Sequence, residues 1–154
     1  MSKIAVGKKA PAFTLEGTSG NWSLDDAKGS CVVLYFYPRD NTPGCTQEGQ
    51  SFAAAFPQFR KLKTTIVGIS PDSVSSHEKF KSKMGFPFEL LSDVDQAVCK
   101  RYDVIQEKSM YGKKYMGVER STFLIDPLGV LRAEWRKVKV NGHAEAVLAA
   151  VKAL

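Results

Sequence analysis

Two stretches of the chain, residues 31–37 (CVVLYFY) and 64–70 (TTIVGIS), are apolar almost without interruption. Runs of that length without alternation predict strands covered on both faces of a partly parallel sheet. Pro38 ends the first. Elsewhere the pattern changes to alternation or helical spacing. AFTL and NWSL flank a Gly-Thr-Ser-Gly turn and predict a small N-terminal hairpin. Thr42 suits an N-cap and Pro43 the first helical position, so a helix is expected to open there and run to about Ala55. Asp72 is expected to cap a second helix. Its apolar face carries Val74, His77, Phe80, the stem of Lys81 and Met84, and Gly85 closes it. FELL (88–91) reads as a short strand, and Ser92 or Asp93 as the opening of a helix over Val94, Ala97, Val98 and Tyr102. STFLID (121–126) and VLRAEW (130–135) predict a hairpin across Asp126-Pro127-Leu128-Gly129, which fits a type I turn. A last amphipathic helix, from about Gly142 to Ala153, buries Val147, Leu148 and Val151.

This order of elements predicts an α/β fold: a mixed sheet with helices on both faces, preceded by a hairpin. It resembles the thioredoxin-like group. With 154 residues, no repeat and no linker, the chain is expected to form one domain over 1–154. In such sheets ligand chemistry gathers at the carboxyl ends of the strands, and Cys45 follows just beyond one.

Charge changes the picture little. The net charge is +6, but Lys and Arg are spread along the chain, with mild concentrations at RKLK (60–63), KSMYGKK (108–114) and WRKVK (135–139). A solvated basic surface is expected, not a nucleic-acid partner. No window approaches the roughly 18 continuous apolar residues of a spanning helix. The basic N-terminal stretch never reaches an apolar leader core, so a cytoplasmic protein without a membrane partner is expected. Cys31, Cys45 and Cys99 are far apart and show no Cys-x-x-Cys, which argues against a zinc site or a disulfide scaffold. His77 and His143 are read as a half-buried packing residue and an exposed helix opener, not a metal pair. Trp22 and Trp135 are read as packing at sheet edges. No haem, flavin or nucleotide motif is present, so no metal or organic cofactor is expected.

Cys45 carries the chemistry. As third residue of a helix capped at Thr42, it lies among unpaired N–H groups at the positive end of the macrodipole, which favours thiolate over thiol. Gly44 leaves room for a substrate to approach the backbone.

Pro38-x-x-x-Thr42-x-x-Cys45, within FYPRDNTPGCTQE, resembles the active-site motif of the peroxiredoxins, and DNTPGCT is similar to their bacterioferritin comigratory protein, or PrxQ, branch. GKKAPAFTL, GISPDSVSSHEKF (68–80), LLSD (90–93) and RSTFLIDPLG (120–129) extend the resemblance over nearly the whole chain. It implies a thiol-dependent peroxidase acting on hydrogen peroxide and organic hydroperoxides. Cys45 would be the attacking cysteine that becomes a sulfenic acid. Thr42 would hold the peroxide, and Pro38 would shield the sulfur. Arg120 would stabilise the thiolate and the developing negative charge. Glu48 would orient Arg120 or cap the site.

The branch often carries a resolving cysteine five residues after the attacking one, or about 36 residues on. Here those positions hold Gln50 and Lys81. Cys31 opens a strand and lies roughly 20 Å from its far end, too far for a disulfide, which needs Cα atoms within about 7 Å. Cys99 reads as core filler and as a weak candidate for resolution. The expectation is therefore a one-cysteine enzyme, monomeric or weakly dimeric, whose sulfenic acid is resolved by thioredoxin or by glutathione with glutaredoxin. The alternatives are a two-cysteine cycle through Cys99, a thioredoxin-like disulfide reductase, or a non-catalytic holdase.

Overall fold

The computed structural model describes residues 4–154; the first three residues of the basic N-terminal stretch lie outside the described residues. Its elements are β1 Thr14–Gly17, β2 Gly20–Ser23, a 3-10 turn Leu24–Ala27, β3 Cys31–Phe36, α1 Pro43–Lys61, β4 Thr64–Ser70, α2 Val74–Met84 and β5 Glu89–Ser92. They continue with α3 Ala97–Arg101, β6 Ile105–Met110, β7 Lys113–Val118, β8 Ser121–Ile125, β9 Leu131–Trp135 and α4 His143–Lys152. Seven strands form one mixed sheet in the order β2-β1-β5-β4-β3-β8-β9. The central β3–β4 and β4–β5 pairs are parallel, and the outer pairs antiparallel. Trp22 and Trp135 do lie on the two edge strands.

The sheet divides two cores. Val33, Tyr35, Tyr37, Ile66, Leu90 and Leu124 point to the face that packs α1, α2 and α4. Val32, Leu34, Phe36, Val67, Ile69 and Phe123 point to the other face, against α3 and the base of the β6–β7 arm. The helices on the two faces thereby put Cys45, on α1, in the first core and Cys99, on α3, in the second.

Several elements differ from their sequence pattern. Helix α1 passes through Pro57 to Lys61 instead of ending near Ala55. Phe52 and Phe59 are fully buried on either side of the proline, and that packing outweighs the lost backbone hydrogen bond. Ser73, not Asp72, caps α2, accepting from Ser76 N at 3.1 Å. Gly85 closes it at φ 69°, as expected. The helix expected from Ser92 or Asp93 shrinks to α3. Val94 is exposed, and the Asp93 carboxylate accepts from the N–H groups of Val98 and Cys99. The β6–β7 hairpin was not expected at all. It turns at Tyr111 and Gly112, both at positive φ, with a tyrosine where the Asn-Gly or Asp-Gly signal would normally stand. Among the described residues, no helix is long and apolar enough to cross a membrane.

Candidate active site

The site forms where β3 ends and α1 begins. Pro38, half-buried, turns the chain out of the sheet. Asn41 takes a left-handed conformation at φ 61°, which asparagine tolerates better than most residues. Thr42 caps α1 with extended backbone, and its carbonyl accepts the first helical bond, from Thr46 N at 2.8 Å. Its hydroxyl makes no cap bond; it donates instead to the Arg39 carbonyl at 2.9 Å. That hydroxyl is therefore not used as a helix cap.

Cys45 is the third residue of α1 and is 2% exposed. Arg120, between β7 and β8, reaches across to it. Nη2 donates to Cys45 Sγ at 3.3 Å, and Nη1 pairs with Glu48 Oε1 at 2.6 Å. Burial works against the guanidinium charge, but Glu48 and Cys45 beside it more than offset this, so Arg120 holds its proton more firmly than usual. Glu48 is 1% exposed, and its Oε2 has no hydrogen-bond partner among the described residues. Burial raises its pKa from 4.5 to about 7 despite the opposing pull of Arg120. Gly44 has a more specific reason than room for a ligand. A Cβ there would stand 3.1 Å from Arg120 Nη2, so the glycine is what lets the guanidinium lie over the first turn.

The structure therefore brings Cys45, Gly44, Glu48 and Arg120 into contact and places Thr42 and Pro38 on the loop leading to them. The other two cysteines stay away. Cys31 begins β3, at the opposite end of the strand from Pro38. Cys99 is fully buried in the core on the far side of the sheet. Burial and the Asp93 carboxylate push its thiol pKa well up. Lys81 pairs with Glu89 at 2.7 Å, and Gln50 donates to Met84 Sδ at 3.8 Å.

Both histidines need correction. His77 is not a half-buried packing residue: it is fully buried and hydrogen-bonded through both ring nitrogens. His143 is not exposed. It is buried at the start of α4, with Nε2 2.7 Å from Thr122 Oγ1 and its ring edge-on to Phe52 and Trp135. Burial, and secondarily Arg120, lower its pKa from 6.5 to about 4. A histidine two residues past Asn141 looked like an exposed opener because the packing around it comes from α1 and β9, distant in sequence. Lys108 on the unexpected arm was read only as part of a basic stretch. Burial first, then Arg120, lower its pKa, and Cys45 opposes them. The arm thus carries a cation within the electrostatic reach of the sulfur.

Comparison with known proteins shows the family and the fold. Residues 6–134 match the AhpC/TSA family. The chain is similar to a putative peroxiredoxin bcp of Coxiella burnetii, 53% identical over 146 residues that cover 94% of this chain and 97% of the relative. A solved structure of the Xanthomonas campestris bacterioferritin comigratory protein, concerned with its alkyl peroxide reduction, superposes with TM-score 0.90 at 49% identity, covering 97% of this chain and 98% of that one. Serine mutants of that organism's peroxiredoxin Q have also been solved, at two cysteines 36 positions apart, from position 48 to position 84 of that protein. Those mutants bear better on a two-cysteine cycle in the relative than on the one-cysteine expectation. A more distant structure, 27% identical with TM-score 0.83 and covering 97% of this chain and 76% of its own, is a yeast mitochondrial 1-Cys peroxiredoxin, resolved via glutathione/thioredoxin systems. With its family match, its level of identity and its thiol–arginine site, this chain belongs to the AhpC/TSA family and is a peroxiredoxin of the Bcp/PrxQ branch, a thiol-dependent peroxidase.

Proposed function

We propose that Cys45 reduces hydrogen peroxide and organic hydroperoxides, and that an external thiol, from thioredoxin or from glutathione with glutaredoxin, resolves the product. The observation that carries this is the contact of Arg120 with both Cys45 and Glu48 at the start of α1. The thiolate attacks one peroxide oxygen, the S–O bond forms as the O–O bond breaks, and the displaced alkoxide or hydroxide takes up a proton and departs as alcohol or water. Cysteine is oxidised by two electrons to sulfenic acid. Negative charge moves from sulfur to the leaving oxygen, and the Arg120 guanidinium lies beside that path without needing to reorient. The Thr42 hydroxyl already donates to Arg39 O, so its lone pairs are free to accept a hydroperoxide O–H. Pro38 and the burial of Cys45 limit access by water.

A single working cysteine is supported by the residues that stand where a second would. The 36-residue spacing of the Xanthomonas relative falls on Lys81 here. Cys99 is the second reading, favoured by the two cysteines mutated in that relative, but it sits across the sheet in the other core. The site is completed within one chain, which fits a monomer or weak dimer. A cytoplasmic setting, where such reductants are kept reduced, is part of the proposal.

The test is intact-mass analysis after one equivalent of peroxide without added thiol. A gain of one oxygen on Cys45, trappable with dimedone, is expected. A loss of two hydrogens with a Cys45–Cys99 link would sink the one-cysteine mechanism. Peroxide consumption by Cys45→Ser at the wild-type rate would sink the role of Cys45.

A further inference from the structure

Beside the catalytic loop lies a polar cluster that the chemistry of Cys45 does not use. Its centre is Asp40, two residues before Thr42 and almost wholly buried. Tyr37 Oη donates to Asp40 Oδ1 at 2.6 Å, and Ser76 Oγ donates to Oδ2 at 2.8 Å. His77 Nδ1 lies 2.7 Å from the same Oδ2, and His77 Nε2 lies 2.8 Å from the Leu91 carbonyl. The Asp40 N–H donates to Asp72 Oδ2 at 2.8 Å, and Ser70 Oγ donates to that oxygen at 2.6 Å. One short loop is thereby tied directly to Tyr37, the residue after β3, and to α2, and through Asp72 and His77 to β4 and β5.

The roles within the cluster follow from donor and acceptor chemistry. A carbonyl can only accept, so Nε2 carries a proton. Burial would push the Asp40 carboxyl pKa up, but the hydrogen bonds from His77 and Tyr37 more than offset it and hold it below the usual range. Nδ1 shares the short hydrogen bond with Asp40 Oδ2. Asp40, Asp72 and His77 bring ligand-type atoms within 4.8 Å of one another, yet both His77 nitrogens and both Asp40 oxygens are committed to partners within the protein. The arrangement is a fastening, not an open ligand set.

What it fastens is the segment that presents Thr42. Arg39 supplies the carbonyl that receives the Thr42 hydroxyl proton, and Asp40 is the next residue. Asn41, between Asp40 and Thr42, is in the left-handed region, which asparagine tolerates but which its flanks must still specify. We infer that His77 is a positioning residue for peroxide reduction. Through Asp40 it fixes the turn at residues 39–42, so that the Thr42 lone pairs face the peroxide bound at Cys45. The inference rests on the roles proposed above for Cys45 and Thr42.

The test compares second-order rates of Cys45 oxidation by peroxide in His77→Leu, His77→Asn, Thr42→Val and the His77→Leu/Thr42→Val pair, each checked for a cooperative melt. Displacing a reacting group by about 1 Å can cost about 100-fold, and a loss of that order is expected in His77→Leu. His77→Asn keeps a donor for Asp40 and is expected to retain most of the rate. In the Thr42→Val background, His77→Leu is expected to add no further loss, because there is no hydroxyl left to misplace. A role confined to folding would multiply the two losses and would not be rescued by asparagine; either result overturns the inference. His77→Leu at the wild-type rate, with Thr42→Val slow, overturns the inference and leaves Thr42's role intact. Thr42→Val at the wild-type rate sinks that role and the inference together. Removing one partner of a buried pair can prevent folding. If His77→Leu does not fold, Ser76→Ala, which removes a single bond to Asp40, is expected to give a smaller loss that likewise vanishes in the Thr42→Val background. Ser76→Ala at the full rate would then overturn the inference.

Discussion

Glu48→Gln is expected to stabilise the protein increasingly as pH rises from about 4.5, with the full effect above about 7. Glu48 is buried against Arg120 with one carboxylate oxygen unpartnered, and its pKa rises from 4.5 to about 7 chiefly through burial. Between those values the folded chain keeps a proton that the unfolded chain has released. Stability therefore falls as pH rises from about 4.5, and levels off once the folded carboxyl has also ionised above about 7. At about 1.4 kcal/mol per pH unit of difference, the ionised form costs about 3 kcal/mol. The carboxamide copies the neutral acid: it can still accept from Arg120 Nη1 and leaves the same side unpartnered. Urea titrations of wild type and Glu48→Gln at about pH 4 and about pH 8.5 read the effect, as a gap near zero at the lower pH and about 1–2 M in midpoint at the higher. Taking the difference between the two proteins cancels His143, whose titration acts in the opposite sense. A gap that is the same at both pH values would mean that Glu48 is ionised throughout, and that Arg120 outweighs burial.

Arg120→Met should slow Cys45 oxidation by about 100-fold or more, since the thiolate and the leaving oxygen lose their cation; competition with a peroxidase of known rate measures it, and a loss under tenfold would contradict the role. Cys31→Ser and Cys99→Ser should keep most of the dithiothreitol-supported turnover that Cys45→Ser abolishes, and inactivity of a folded Cys99→Ser would restore the two-cysteine reading. His143 is held neutral by burial, with its pKa lowered from 6.5 to about 4; the stability this contributes is complete above 6.5 and lost as pH falls toward 4. His143→Gln should flatten that acid limb in denaturant titrations, and an unchanged limb would assign it to other groups. In the sulfenic form, hydrogen exchange should quicken at amides 44–48 while amides 50–56 keep their protection; quickening across both would show α1 opening as a whole.

What could be read from the chain and what could not follow one division. The buried strands β3 and β4 were legible because continuous apolar runs have few other meanings, and the start of α1 because Thr42, Pro43 and Gly44 are local signals. Cys45 was legible as a consequence of that helix start. Arg120 carries no local signal for its role, which depends on a contact 75 residues away in sequence, and only family resemblance pointed to it. The two histidines were misjudged for the same reason. Their partners, Asp40 and Thr122, come from other elements, and no periodicity on their own helices reveals them. The β6–β7 arm was missed because it stands apart from the main sheet. Its outer residues, including Met110, Tyr111 and Met116, are exposed, so it lacks the burial that gives a strand its alternating pattern.

The same contacts set where the chain can open for a reducing thiol. Cys45 is 2% exposed, so no partner reaches a sulfenic acid there without local movement. Upstream, the Asp40 cluster ties the loop to α2 and, through Asp72 and His77, to β4 and β5. Downstream, Gly49 lies so close to Phe86 that an added Cβ would collide with the ring, and Phe52 is fully buried. Movement is therefore least costly between these two anchors, from Asn41 to Glu48. Within that span Pro43 has no N–H to lose, Asn41 already holds an unfavourable backbone angle, and Gly44 resists no rotation. The first N–H bonded within the helix is that of Thr46, so unwinding the first turn breaks few backbone bonds. The strongest restraint left is Arg120, which bridges Glu48 and Cys45. In the proposed reaction the attacking sulfur ends as a neutral sulfenic acid, which weakens that restraint from inside the site. The chemical step thereby loosens the turn that must open next, and α2, fastened by His77 and by the Lys81–Glu89 pair, has no need to move.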